Sequence, residues 1–249
     1  MLSTTRFVIV EALFDQLVYQ ELFDAATKLD SWKGKSPLVF IRASDERNEK
    51  GGGCSQVMNW APKLCAKIPL FSGVIDKDVD NQQAEESVFV LGRYSVENYL
   101  LDPIIIFACL VDLGIHDSVF SHESLSDCNP RAINDLKTVE LQAIADAIVD
   151  QIEKACPSVV THEISKSEGT GRGERFTVKY TNGNAILVPE WLKTYRGHDL
   201  QMVVCGVFTN GEKRIFTRDL DQARLAICRK IPGFIPLDLI RLFSQLSNQ

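Results

Sequence analysis

Four short runs in the first third of the chain are apolar almost throughout and rich in β-branched residues: Arg6–Glu11 (RFVIVE), Leu38–Ile41 (LVFI), Leu70–Ile75 (LFSGVI) and Ser87–Leu91 (SVFVL). Strands with no polar alternation have no face to offer to water, so they are buried on both sides. Between the first two, Phe14, Leu17, Val18, Leu22, Ala25, Ala26 and Leu29 recur at three- and four-residue steps, the period of an amphipathic helix. Cys54–Lys67 repeats the pattern with Val57, Met58, Ala61, Leu64 and Cys65, and Pro62 is expected to bend or shorten it. Asp45–Gly53 and Asp76–Glu86 are polar and read as loops. Strands alternating with helices in this way predict a parallel sheet covered by helices.

Beyond residue 91 the chain turns helical. Val96–Leu113 and Ile133–Ala155 carry helical periodicity, and three more helices are expected near 189–208, 217–229 and 236–246. Ser158–Ile164, Arg175–Tyr180 and Ala185–Val188 read as a small antiparallel addition, with Thr181-Asn182-Gly183-Asn184 as its turn. The expected fold is therefore α/β: a parallel four-stranded sheet flanked by helices, a mostly helical C-terminal part and a small β-hairpin insertion. The expected division is a core over 1–115 and a C-terminal region over 116–249 packed on it.

Hydrophobic residues make up 45 % of the 249, enough to bury a core, so disorder is not the default. No apolar run reaches the roughly 18 to 20 residues of a membrane span, and the N-terminus lacks a signal-peptide layout. Seven cysteines show no C-x-x-C spacing, and four histidines form no H-x-x-x-H pair. Free thiols in a reducing cytoplasm are expected, and any metal would be a hard, oxygen-bound cation. The net charge of −6 is unevenly spread. Residues 1–161 carry 14 basic and 24 acidic side chains, whereas 189–249 carry nine and six. An acidic body argues against a protein that coats DNA, and leaves room for an enzyme that meets nucleic acid through a local patch and a metal ion.

In open α/β sheets, function gathers at the carboxyl ends of the strands. The first strand ends in Glu11, with Asp15 one helical turn later, and the third ends in Asp76-Lys77-Asp78-Val79-Asp80. Alternate residues of an extended segment point the same way, so Asp76 and Asp78 share a face, with Asp80 beside them if the extension continues. Clustered carboxylates repel unless a cation is present. Mg²⁺, with Mn²⁺ as a substitute, resolves the conflict, activates a water and stabilises charge on a phosphodiester. A solvated turn explains a D-x-D-x-D run equally well on pattern alone, but an acidic residue closing an apolar strand, as Glu11 does, is harder to dismiss.

The order of a strand ending Val-Glu, an aspartate four residues on, and a later strand ending Asp-x-Asp resembles the Toprim domain. That metal-binding module is shared by topoisomerases, primases and OLD-type nucleases. Arg93-Tyr94-Ser95-Val96-Glu97-Asn98-Tyr99-Leu100-Leu101-Asp102-Pro103 resembles the IENYLLxP motif of a Toprim-like family encoded beside ABC-type ATPases in prokaryotic anti-phage loci, to which the effector of the PARIS defence system belongs. Arg196-Gly197-His198-Asp199-Leu200 is similar to a late element of that family. The resemblance implies that Glu11, Asp76 and Asp78 are metal ligands or the general base and acid of a nuclease, with Glu97 supporting the site; Asp80 is a further candidate ligand by its place in the alternating run. It also implies an ABC-type ATPase partner, a nucleic-acid substrate (structured RNA such as tRNA, or DNA), homodimerisation on release and a role as a toxic effector. A docking or sensor subunit of the ATPase is the alternative. Many Toprim domains place glycine after the first glutamate. This chain has Ala12, which permits the turn while its φ is negative.

Other signals are weaker. Gly51-Gly52-Gly53 lacks a following Walker lysine and reads as a loop. Ser165–Glu174, with Lys166, Arg172 and the adjoining Arg175, reads as a solvated hairpin tip. Lys213, Arg214, Arg218, Arg224, Arg229, Lys230 and Arg241 make the C-terminal region basic; Arg214, Arg218 and Arg229 near one surface read as a phosphate track or a partner surface, or as ordinary helical surface charge.

Overall fold

A computed structural model of the chain describes residues 4–43, 53–77, 85–157, 174–208 and 220–249. They form two compact units, Met1–Val96 with Leu237–Gln249, and Glu97–Pro236.

The first unit contains β1 (Arg6–Val10), α1 (Leu13–Ala26), β2 (Leu38–Arg42), α2 (Gly53–Cys65), β3 (Phe71–Ile75) and β4 (Val88–Val90). The four strands form one all-parallel sheet in the order β2-β1-β3-β4, as the apolar runs require. One face is filled by an aromatic cluster. Phe40 of β2 stacks on Tyr19 of α1 with ring centroids 5.4 Å apart. Phe243, from a helix at the far end of the chain, meets Phe40 at 5.9 Å and Phe23 at 5.7 Å. The opposite face packs Ile9, Ile75 and Val88 against Val57 and Ala61 of α2. Gly73 lets α2 come close, because a Cβ there would stand 2.7 Å from Val57 and 2.9 Å from Ala61. Pro62 lies inside α2, which runs on to Cys65.

β2 is an edge strand, and the outward backbone groups of an edge invite foreign pairing. Two glutamines of α1 occupy them. Gln20 accepts from the Phe40 N–H (3.2 Å) and donates to the Leu38 carbonyl (3.4 Å), while Gln16 accepts from the Arg42 N–H (3.3 Å).

The second unit contains α3 (Glu97–Leu100), α4 (Pro103–Asp112), α5 (Thr138–Ala155), the hairpin β5 (Arg175–Lys179) and β6 (Ala185–Pro189), α6 (Trp191–Thr194), α7 (Gly197–Val207) and α8 (Leu220–Lys230). α9 (Leu237–Asn248) returns to the first unit. Every residue of α4 from Pro103 to Val111 is buried, as an all-round apolar helix must be, and it packs on α5 and α8. The hairpin turn has Gly183 at φ 88° and a hydrogen bond from the Asn184 N–H to the Asn182 side chain.

Three expectations are revised. The continuous helix over 96–113 is two helices, because Asp102 caps α4, accepting from the Ile104 N–H at 3.0 Å, and Pro103 stands at its first position. The expected boundary at 115/116 lies instead between Val96 and Glu97, since α3 and α4 bury into the helical unit. The last helix belongs with the sheet, because Phe243 completes its aromatic face. The expected strand Ser158–Ile164 lies outside the described residues, apart from which the hairpin stands as expected.

Gly73→Ala is expected to cost about 1–3 kcal/mol by overpacking the contact with α2, read as a lower denaturation midpoint in urea.

Candidate site at the carboxyl ends of the strands

β1 and β3 lie side by side, with Phe7, Val8 and Ile9 in register with Phe71, Ser72 and Gly73. Their carboxyl ends therefore emerge together. Glu11 follows β1 and its Oε1 accepts a hydrogen bond of 2.9 Å from the backbone N–H of Asp76, which follows β3. Both residues are half-buried. The next amide is also bound: Lys77 N–H donates to the Tyr94 carbonyl at 2.9 Å. Two successive amides held by different segments leave the Asp76 turn little freedom.

Ala12 adopts φ −135° and ψ 169°, an extended conformation open to any residue, so glycine is not required at this turn. Its N–H donates to Asp15 Oδ2 at 2.9 Å. Asp15 is 8 % exposed and closes the first turn of α1 on itself. A capping carboxylate at this position satisfies a helix amide that would otherwise be orphaned. Asp15 thus fixes the peptide that follows Glu11, a role its spacing in the sequence allows but does not reveal.

The structure brings Glu11 and Asp76 together. Asp78 and Asp80 lie outside the described residues. Glu97 opens α3 in the second unit and is half-buried. Among the described residues, no three His, Cys, Asp or Glu side chains converge in a group able to hold a metal ion.

Beside Glu97, Asn98 is fully buried and its Nδ2 donates to the carbonyls of Leu192 (3.0 Å) and Tyr195 (2.9 Å). It binds the exit of α6, just before Arg196 and the segment through Leu200. The first motif is thus tied to the residues that lead into the second. α3 is a single turn, and the side chain of Asn98 is spent on these tertiary contacts. Asp102 is 1 % exposed and accepts from the Tyr180 hydroxyl at 2.8 Å as well as from Ile104.

Several other signals fall away or lie outside view. Arg224 is buried, so it adds nothing to a basic surface. Lys230 pairs with Asp112 at 2.6 Å, and Arg175 with Asp146 at 2.7 Å. Lys166, Arg172, Lys213, Arg214 and Arg218 lie outside the described residues, as do Gly51 and Gly52. Cys109 and Cys228 are buried and Cys128 is exposed. Burial pushes the Cys109 thiol up to about 12, partly offset by Arg224. Burial, with Cys109 beside it, raises Cys228 further still. Thiols held protonated in this way are packing groups and not nucleophiles.

No protein-family model matches the chain, and no curated protein matches it. Among the described residues no helix is long and apolar enough to cross a membrane.

Iodoacetamide at about pH 8 is expected to label the exposed Cys128 and to spare Cys109 and Cys228 until denaturant is added, with peptide mass spectrometry as the measurement.

Proposed function

We propose that the chain is a metal-dependent nuclease whose acidic strand ends hold Mg²⁺. The observation that carries this reading is the reach of Glu11 from the end of β1 to the amide of Asp76 at the end of β3. It holds the Glu11 carboxylate against the backbone of Asp76, where parallel α/β sheets place their chemistry. The donor set fits the ion in kind. It is carboxylate oxygen without Cys or His, and Mg²⁺ is ordinarily held by one or two protein carboxylates together with water and substrate phosphate. Glu11 and Asp76 would hold it, with Asp78 as a further donor on the strength of the Toprim resemblance and Asp80 on its place in the alternating run. When bound, the ion stabilises the negative charge that develops on a phosphodiester during hydrolysis.

The rest is done by the chain. Asp15 holds the Ala12 amide and so the direction in which Glu11 leaves β1. Glu11 holds the Asp76 amide, and Tyr94 holds the next. The Glu11 carboxylate and the backbone that carries Asp76 are therefore held before any substrate arrives, as an electrostatic site requires.

The finer parts of the proposal rest on the likeness of Arg93–Pro103 to the Toprim-like family of anti-phage loci. The substrate is structured RNA such as tRNA, or DNA. The protein acts in the cytoplasm as a toxic effector in antiviral defence, restrained or triggered by an ABC-type ATPase, and as a homodimer when released.

Glu11→Gln tests the reading cleanly, because the amide oxygen still accepts from the Asp76 N–H while the charge is lost. On induced expression, growth arrest with discrete RNA fragments or broken genomic DNA is expected from the wild type alone. Cleavage by the purified variant in Mg²⁺ is expected to fall at least about 100-fold. A Gln variant as toxic and as active as the wild type would leave the carboxylates a structural role and favour a docking subunit of the ATPase.

A further inference from the structure

The carboxyl edge of the sheet carries cations as well as acids. In the strand order β2-β1-β3, β2 ends in Arg42, β1 is followed by Glu11, and β3 is followed by Asp76 and Lys77. Arg42 stands in register with Val10, one rung short of Glu11. Along this edge the charges therefore run cation, carboxylate, carboxylate, cation.

Both cations are rooted on backbone that other segments hold. The Arg42 N–H donates to Gln16 Oε1 at 3.3 Å, and the next amide, of Ala43, donates to the Val10 carbonyl at 2.7 Å. The Lys77 N–H donates to the Tyr94 carbonyl at 2.9 Å. Arg42 is half-buried and Lys77 is exposed. Among the described residues neither is joined to a carboxylate in an ion pair, whereas Lys154, Arg175, Lys193 and Lys230 are.

Electrostatics gives these two side chains a task. A nucleic-acid strand is a row of negative charges, and an acidic edge repels it. A divalent ion at the carboxylates offsets the charge of the phosphate it touches and leaves the neighbouring phosphates to be met by fixed cations. Arg42 and Lys77 are rooted two strand spacings apart, about 10 Å, with the acids between them, so each meets a phosphate of its own. We propose that Arg42 and Lys77 hold the phosphates on either side of the one that is cut, with the strand lying across the carboxyl edge from β2 to β3. This rests on the reading that Glu11 and Asp76 hold the metal of a nuclease, and adds the direction of the strand and the groups that grip it. Contacts of this kind position a strand and carry no sequence information.

The test is binding of a fluorescein-labelled single-stranded oligonucleotide to the full chain in Ca²⁺, followed by anisotropy over a range of salt. Each phosphate contact to a single strand contributes about −0.7 to the slope of log affinity against log salt. Arg42→Ala and Lys77→Ala are each expected to flatten the slope by about 0.7, and the double variant by about 1.4. Lys77 is exposed, so its loss tests the proposal even where Arg42→Ala fails to fold. Arg42→Lys keeps the charge and should keep the slope. Lys67→Ala removes an exposed charge at the opposite edge, between α2 and β3, and is expected to leave the slope unchanged. An unchanged slope in Lys77→Ala or in a folded Arg42→Ala overturns the proposal. So does a double variant that loses no more than a single one, since both side chains would then meet one phosphate. Equal flattening in Lys67→Ala overturns it as well, because overall charge would be the cause, and so does a wild type that binds no strand. Binding through Arg42 and Lys77 without cleavage in Mg²⁺ leaves the strand contact standing and sinks the nuclease reading. Cleavage that is lost in Glu11→Gln, with a slope indifferent to Arg42 and Lys77, sinks this proposal alone.

Discussion

An apolar parallel sheet needs cover over most of both faces, and this need organises the first unit, although Val39 and Ile41 of the edge strand β2 and Val90 of β4 stay exposed. α2 covers one face and α1 begins to cover the other. The remaining cover comes from α9, twelve residues at the end of the chain, whose Phe243 joins Tyr19, Phe23 and Phe40. The unit is therefore discontinuous in sequence, with a whole second unit inserted between β4 and the helix that completes the sheet. Aromatic pairs in edge and stacked geometries add to the area they bury, so a single phenylalanine is a strong reason for a distant helix to return.

Much of this was legible. The four strands are found within a residue or two of where their apolar runs place them, and the hairpin follows from its Asn-Gly turn. What was not legible depends on contacts that periodicity does not encode. Leu237–Asn248 is amphipathic, which says that it packs, and nothing in its pattern says on what. The break at Leu101–Asp102 was readable in part, because Asp-Pro is a helix start as much as a helix bend. Its neighbour Tyr180 was not, since a hydroxyl that meets Asp102 comes from a strand 78 residues away. Gln16 and Gln20 looked like ordinary polar positions of α1, yet they close the edge of β2.

The candidate site divides in the same way. Glu11 and Asp76 were legible because each closes an apolar run, and the positions of strand ends in parallel sheets are general. The alanine after Glu11 raised a question of backbone geometry, which its extended conformation answers. Asp15 was present in the motifs without a role, because a capping bond appears only once the chain has folded. Arg224 counts toward the basic charge of its segment but is buried, so a basic sequence segment and a basic surface are different things.

The choice of glutamate at the end of β1 has a geometric reason. Neighbouring strands lie about 4.8 Å apart, and the backbone hydrogen bonds that span the gap stop where the strands stop. At the last rung, the Asp76 amide needs an acceptor from the other strand, and the side chain that follows β1 supplies it. The two methylenes of Glu11 carry its carboxylate across the gap that an aspartate, one carbon shorter, would have to cross by bending the backbone. The same bond then does two things. It continues the ladder for one more residue, and it turns a carboxylate toward the next strand's acidic end.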